Sequence, residues 1–181
     1  MPVHTESRWG ELKQATVLFA DVVGSTEHIA GLDPEQTMAQ MRPAVLRMCA
    51  SVERFGGTVL RTMGDGVMAI FGVPKALEGH ARLACEAALH MQNAFAEDAY
   101  GLTIRVGLHS GAVASDPQDA EGAKGGGAHG MTIHIASRVV ALAEPGQVTV
   151  TATSRALIAD AYKVVGLGPR RLKGIADPVE V

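Results

Sequence analysis

Two aspartates in the chain stand where the backbone can hold a carboxylate still. Asp21 closes a β-branched, apolar run from Ala15 to Val23 that Gly24 breaks, and Asp65 lies between Gly64 and Gly66 in the stretch RTMGDGVMAIFG. Glycines on both sides permit the positive φ of a tight hairpin turn, which would present Asp65 at its tip. If the two elements are neighbours in one sheet, the carboxylates converge on hard cations such as Mg²⁺, an arrangement suited to two-metal phosphoryl transfer. The same residues have a plainer use, with Asp21 capping the turn before Ser25 and Asp65 serving as a turn former, and periodicity alone favours it. Further along, His134 and Arg138 are four residues apart in a helix-like segment and so share a face. A histidine there can donate a hydrogen bond. Taken singly, His134 reads as a structural helix histidine, Arg138 as an exposed helix arginine and Lys173 as a solvated loop lysine.

The elements that must position these side chains follow from spacing and breakers. After the first strand, Ser25 is placed to cap a short helix. Asp33, Pro34 and Gln36 supply an N-cap, a first-turn proline and a capping-box partner. Met38, Met41, Val45, Met48, Val52 and Phe55 then recur at helical spacing up to Gly56 and Gly57. Pro43 is expected to kink or divide that helix. Two short strands flank Asp65 between Thr58 and Phe71, a second helix spans about Glu78 to Phe95, and a strand covers Leu102 to His109. Asp116 to Gly130, rich in Gly, Asp and Ala, reads as a loop. A third helix covers Thr132 to Ala143 and stops at Pro145 and Gly146. A strand at Gln147 to Thr151, a helix at Ser154 to Ala161 and a closing hairpin from Tyr162 to Leu172 around Gly168 and Pro169 complete the chain. Helices separated by hairpins predict an α+β sandwich, a mixed or antiparallel sheet covered by helices.

Composition limits the rest. With 181 residues and 47% apolar content the chain can fill one core, and a second domain is not expected. Net charge is -3 and no stretch clusters Lys and Arg, which argues against nucleic acid or anionic lipid as partners. Cys49 and Cys85 lie in helix-like patterns without a CxxC or His-rich neighbour, so they read as buried thiols of a reducing cytosol. No apolar run approaches a bilayer span and the N-terminus is too polar for a secretory signal, so no membrane contact is expected and the location is cytoplasmic. The chain ends at Val181, just after the apolar start PVEV, as if a final strand or a longer parent protein were cut short.

TVLFADVVGST followed by RTMGDGVMAIFG closely resembles the paired metal-binding motifs of class III adenylate and guanylate cyclases, in a bacterial form. RVGLHSGAV resembles that family's next strand, GMTIHIASRVVALAEPGQVTVT its transition-state helix, and LGPRRLKGIADPVEV its C-terminal lysine segment. The resemblance covers residues 15–181 in the family's order, with 1–14 as a lead-in. It implies a ferredoxin-like βαββαβ core and a head-to-tail homodimer with sites shared across the interface. Asp21 and Asp65 would bind two Mg²⁺ or Mn²⁺ ions, with the Val22 carbonyl helping one. Arg138 would stabilise the α-phosphoryl transition state and Lys173 would grip the terminal phosphates, both from the partner subunit. Three substrate-facing positions depart from the family pattern. Arg61 replaces a purine-reading lysine, Gly127 stands near an expected Asp or Thr, and His134 replaces the asparagine that positions the ribose.

Two functions follow from this resemblance. One is an enzyme that converts a nucleoside triphosphate, ATP by default, to a 3',5'-cyclic nucleotide and pyrophosphate. The other is a catalytically silent cyclase-like domain that binds nucleotide or dimerises and regulates a neighbouring domain. Intact Asp21, Asp65 and Arg138 favour the enzyme, and altered Arg61, Gly127 and His134 favour the rival or an unusual base preference. A diguanylate cyclase is set aside because GDGV stands where a GGDEF-type tip would be.

Overall fold

The computed structural model describes residues 11–116, 127–158 and 161–181. Strand β1 (Glu11–Val22) lies between β3 (Gly66–Phe71) and β4 (Ile104–Asp116), antiparallel to both, and β2 (Thr58–Thr62) pairs antiparallel with β3. The order β2-β3-β1-β4, with helices α1 (Ser25–Ile29) and α2 (Pro34–Arg54) after β1 and α3 (His80–Phe95) after β3, is the ferredoxin-like βαββαβ arrangement. The other edge of β4 is shared by β5 (Gly127–His129), antiparallel, and β6 (Val148–Val150), parallel. Helix α4 (Met131–Val139) continues as a 3₁₀ turn at Val140–Leu142, and α5 (Ala152–Ile158) follows β6. Two short strands, β7 (Pro169–Arg170) and β8 (Val179–Glu180), form a separate pair.

The pleat of β1 explains the two-sided core. Leu18, Ala20 and Val22 face one way and are packed beneath α2 and α3, with Met48, Val52, Ala84, Ala88 and Met91 completing that layer. Ala15 and Val17 face the other way and meet Ala136 of α4, together with Ile70 and Val113. Each fully buried Leu or Phe contributes about 1.5–3 kcal/mol, so these two layers fasten the sheet whose ends carry the site. Asp21 belongs by alternation to the α4 side, with Phe19. Gly107 is needed here: a Cβ on it would lie 2.3 Å from the Val140 amide nitrogen, so its absence lets the end of α4 settle on the sheet.

Several local expectations hold. Asp33 accepts from the Gln36 amide at 2.8 Å while the Gln36 side chain accepts from the Asp33 amide, and Pro34 opens α2. Others are corrected. Pro43 stands inside α2 and does not divide it. The first strand begins at Glu11 and not at Ala15. The strand expected to stop at His109 runs on to Asp116, because Gly107 and Gly111 make room for α4 and do not break the strand. Part of the loop expected from Asp116 to Gly130 is β5, while residues 117–126 lie outside the described residues. The expected hairpin around Gly168 is instead a pairing of β7 with β8 across the turn that holds Lys173. Cys49 and Cys85 are free thiols, and burial pushes the Cys85 thiol up to about 12.

A buried polar seam fastens α3 and α5 to β1 and β4. Thr16 Oγ1 lies 2.7 Å from both His80 Nδ1 and Ser110 Oγ, Ser110 Oγ lies 2.9 Å from Ser154 Oγ, and His109 Nδ1 lies 2.8 Å from Thr151 Oγ1. Burial lowers the His109 pKa to about 4 and lowers that of His80 as well. The folded chain therefore resists protonating His109, whereas the unfolded chain protonates it near its ordinary value of 6.5. The neutral ring's stabilisation is complete above about pH 6.5 and is lost as pH falls toward 4, by about 3 kcal/mol at ~1.4 kcal/mol per pH unit. Urea denaturation between pH 7 and 4 checks this: the His109→Gln variant should show a smaller loss of stability on acidification than the parent. An equal slope in both would remove His109 as the cause.

Candidate functional site

Asp21 is the next-to-last residue of β1, with Gly66 of β3 opposite it on one side and Arg105 of β4 on the other. Its neighbour Val22 donates its amide to the Asp65 carbonyl at 2.9 Å, and the Met63 amide donates to the Gly66 carbonyl at 2.8 Å to close the β2–β3 turn. The two aspartates are thus stitched into adjoining backbone. Gly66 makes the approach possible: a Cβ there would lie 2.3 Å from the Ala20 carbonyl oxygen. One carboxylate stands at a strand end and the other in the turn of a neighbouring hairpin, as expected, but neither Gly64 nor Gly66 takes the positive φ expected of that turn.

The plainer use expected for Asp21 is not observed, whereas Asp65 does stand in the β2–β3 turn. Asp21 does not cap the turn before Ser25: Arg105 Nε donates to its Oδ1 at 2.7 Å and Nη2 donates to its Oδ2 at 3.3 Å. Nor does Ser25 cap α1, since Gly24, with φ 62°, occupies that position and the Ser25 hydroxyl donates instead to Asp65 Oδ2 at 2.5 Å. Arg105 was not singled out by sequence reasoning. Its only sequence signal is a basic residue at the start of an apolar strand, and its meaning depends on the register that sets it across from Asp21. The hydrogen bond to Asp21 raises the Arg105 pKa against the opposing effect of burial, and the charges of Asp21 and Asp65 add to the rise. Both carboxylates therefore act on one guanidinium.

Asp21 and Asp65, with the Val22 carbonyl expected to help them, would make a sparse, all-oxygen donor set. Among the described residues no group of three or more His, Cys, Asp or Glu side chains could enclose a metal. That fits Mg²⁺ or Mn²⁺, which keep waters and share substrate oxygens, and does not fit a closed zinc site.

The remaining expected site residues are placed apart from this pair. Arg61 is exposed on β2 opposite Met68, which in turn pairs with Phe19, so Arg61 lies on the Asp21 side of the sheet. Gly127 opens β5 opposite Asp116. His134 and Arg138 are both exposed on α4, on the side away from buried Thr132, Ala136 and Val139. Lys173 is exposed in the β7–β8 turn, which buried Leu172 anchors. None of these cationic or imidazole side chains pairs with Asp21 or Asp65 within the chain.

A family model described as the adenylate and guanylate cyclase catalytic domain matches residues 9–180. The chain belongs to this family. Cyclases with both base preferences are among its relatives. It is 28% identical over 189 residues to adenylate cyclase 1 of Rhizobium meliloti, covering 98% of this chain and 28% of that protein. It is likewise 28% identical over 171 residues to the human guanylate cyclase soluble subunit beta-2, covering 91% of this chain and 28% of that protein. The chain thus spans under a third of these curated relatives. Among solved structures, the guanylyl cyclase Cya2 superposes with a TM-score of 0.86 at 25% identity, covering 95% of this chain and 91% of that one. The cyclase domain therefore takes the class III fold that its motifs implied, and no helix of its described residues is long and apolar enough to cross a membrane.

Proposed function

We propose that this domain is an active nucleotidyl cyclase of the cytosol, converting a nucleoside triphosphate to its 3',5'-cyclic monophosphate and pyrophosphate. The observation that carries the reading is the pairing of Asp21 and Asp65 on backbone tied by the Val22 to Asp65 hydrogen bond. Asp21, Asp65 and the Val22 carbonyl would hold two Mg²⁺ or Mn²⁺ ions, which when bound supply Lewis-acid activation of the ribose hydroxyl and charge neutralisation of the triphosphate. In the reaction the ribose 3'-oxygen loses its proton and attacks the α-phosphorus in line, and the bond from that phosphorus to the bridging oxygen of pyrophosphate breaks. Arg138 stabilises charge on the α-phosphoryl oxygens, Lys173 binds the terminal phosphates, and His134 donates a hydrogen bond that orients the ribose.

Arg138, His134 and Lys173 are exposed and make no side-chain hydrogen bond or ion pair with the described residues of their own chain, which supports their acting on a second copy. The dimer we infer is head-to-tail, each site taking Asp21 and Asp65 from one subunit and Arg138, His134 and Lys173 from the other. Half-buried Phe19 and Met68, with exposed Arg61, leave the Asp21 side of the sheet open for such a partner.

One observation favours the alternative of a silent nucleotide-binding domain: the Asp21 carboxylate is already neutralised by Arg105. Product analysis with ATP, GTP, CTP and UTP in Mn²⁺ separates the two readings. A cyclic product from any of them establishes the enzyme, and bound nucleotide without product establishes the silent domain. Base discrimination is expected to be loose, because Arg61 offers only donors and Gly127 has no side chain with which to test the purine edge. A preference for ATP over GTP above about 10³-fold would contradict the assignment of Arg61 and Gly127, since ~4 kcal/mol exceeds what two such positions supply.

A further inference from the structure

Arg105 meets both oxygens of the carboxylate proposed to hold the cations, Nε donating to Asp21 Oδ1 at 2.7 Å and Nη2 to Oδ2 at 3.3 Å. The two side chains are 32% and 23% exposed, so the ion pair is partly buried. Its placement is enforced by the backbone. Asp21 and Arg105 are direct partners in the antiparallel β1–β4 ladder, and the next residue of β4, Val106, is bonded through its amide to the Gln147 carbonyl at 3.1 Å. The backbone thus holds the Cα of Arg105 across from Asp21 whether or not the two side chains are paired. Asp65 lies close enough to add to the same guanidinium's charge stabilisation, while its own Oδ2 takes the Ser25 hydroxyl. In this arrangement the two carboxylates face a resident positive charge where bare neighbouring carboxylates would repel each other.

Resting on the metal-site reading above, we propose that Arg105 is the resident counter-cation of Asp21, and that a divalent cation binds by displacing its guanidinium from the carboxylate. Arg105 is thus a positioning residue. It keeps Asp21 aimed and neutralised when no metal is present, and it sets the cation concentration at which the site fills. Cation affinity is then an exchange quantity, smaller than two free carboxylates would give by the strength of the guanidinium–carboxylate pair. The fork matters as well as the charge, because two parallel N–H bonds hold the carboxylate in a way a lysine ammonium cannot reproduce.

The test is Mn²⁺ binding by the full chain without nucleotide, read from the paramagnetic resonance signal of free Mn²⁺, for the parent, Arg105→Lys and Arg105→Gln. Urea denaturation in metal-free buffer establishes that each protein is folded. In parallel, the Arg105 Nε–H resonance is followed while Mg²⁺ is added. Arg105→Gln is expected to bind Mn²⁺ about five- to tenfold more tightly than the parent, the fold-change equivalent to one well-formed partly buried pair. Arg105→Lys, which keeps the charge without the fork, should fall between them. The Arg105 Nε–H signal should leave its hydrogen-bonded position as Mg²⁺ saturates. Equal or weaker binding by both variants, or an Nε–H signal unmoved at saturation, overturns the exchange while leaving the metal site standing. If Mn²⁺ binds none of the three proteins, the metal-site reading falls and the exchange falls with it.

Discussion

Asp21→Ala and Asp65→Ala should each lower cyclic-nucleotide formation by at least about 10³-fold while leaving a folded protein. Loss of one preorganised electrostatic group already costs about 10²–10³-fold in other enzymes, and either substitution here removes half of the side-chain donors proposed to hold both cations. The structural cost is small by comparison. Asp21 gives up a partly exposed ion pair with Arg105, worth about 1 kcal/mol, and Asp65 gives up one hydrogen bond from Ser25 of similar size. Neither side chain supports the core, since the backbone around them is fixed by the β1–β3 register and by the Val22 to Asp65 bond. A fall of roughly 2–4 °C in melting temperature is the expected scale for a chain of this length. Turnover and the thermal midpoint measured on the same samples check both halves. Full activity in either variant would remove the two-metal assignment, and loss of folding would show that Arg105 or Ser25 depends on its carboxylate for more than local order.

The core and the carboxylate pair were legible in the sequence because local rules and tertiary structure agree there. The Asp33–Gln36 box starts α2, the Gly64–Gly66 stretch stands at the β2–β3 turn although by no positive φ, and the apolar run from Ala15 gives a strand whose carboxylate emerges near the sheet's end. Legibility failed where a residue's meaning depends on what lies across the sheet. The strand expected to end at His109 continues through Gly111, whose missing side chain leaves the space that Thr132 of α4 fills. Ser25 reads as a cap, but its hydroxyl finds a stronger acceptor in Asp65, forty residues away. Arg105 showed in the sequence only as a basic residue opening an apolar strand, and gains its meaning from the β1–β4 register that sets it opposite Asp21. The β7–β8 pair was missed because β8 spans two residues, too few for alternation to be recognised.

Arg138→Ala should be nearly as damaging as loss of a carboxylate, at about 10²-fold or more, although Arg138 is an exposed helix residue with no side-chain partner among the described residues. Its removal costs the monomer nothing it can be seen to use, so a large kinetic effect without a stability effect would place its action on a bound substrate. The shared-site arrangement makes a sharper demand. A homodimer of Asp21→Ala lacks the cation carboxylate in both sites, and a homodimer of Arg138→Ala lacks the transition-state arginine in both. When the two are mixed, each heterodimer carries one site with both lesions and one with neither. Equal amounts and free exchange make roughly half of the dimers mixed, each with one intact site of two, so about a quarter of wild-type activity should return. The measurement is cyclic-nucleotide production by the mixture, with subunit exchange confirmed by mass-tagged subunits. Recovery near that level is the predicted result, and a mixture no more active than either parent, with exchange complete, would contradict the shared site.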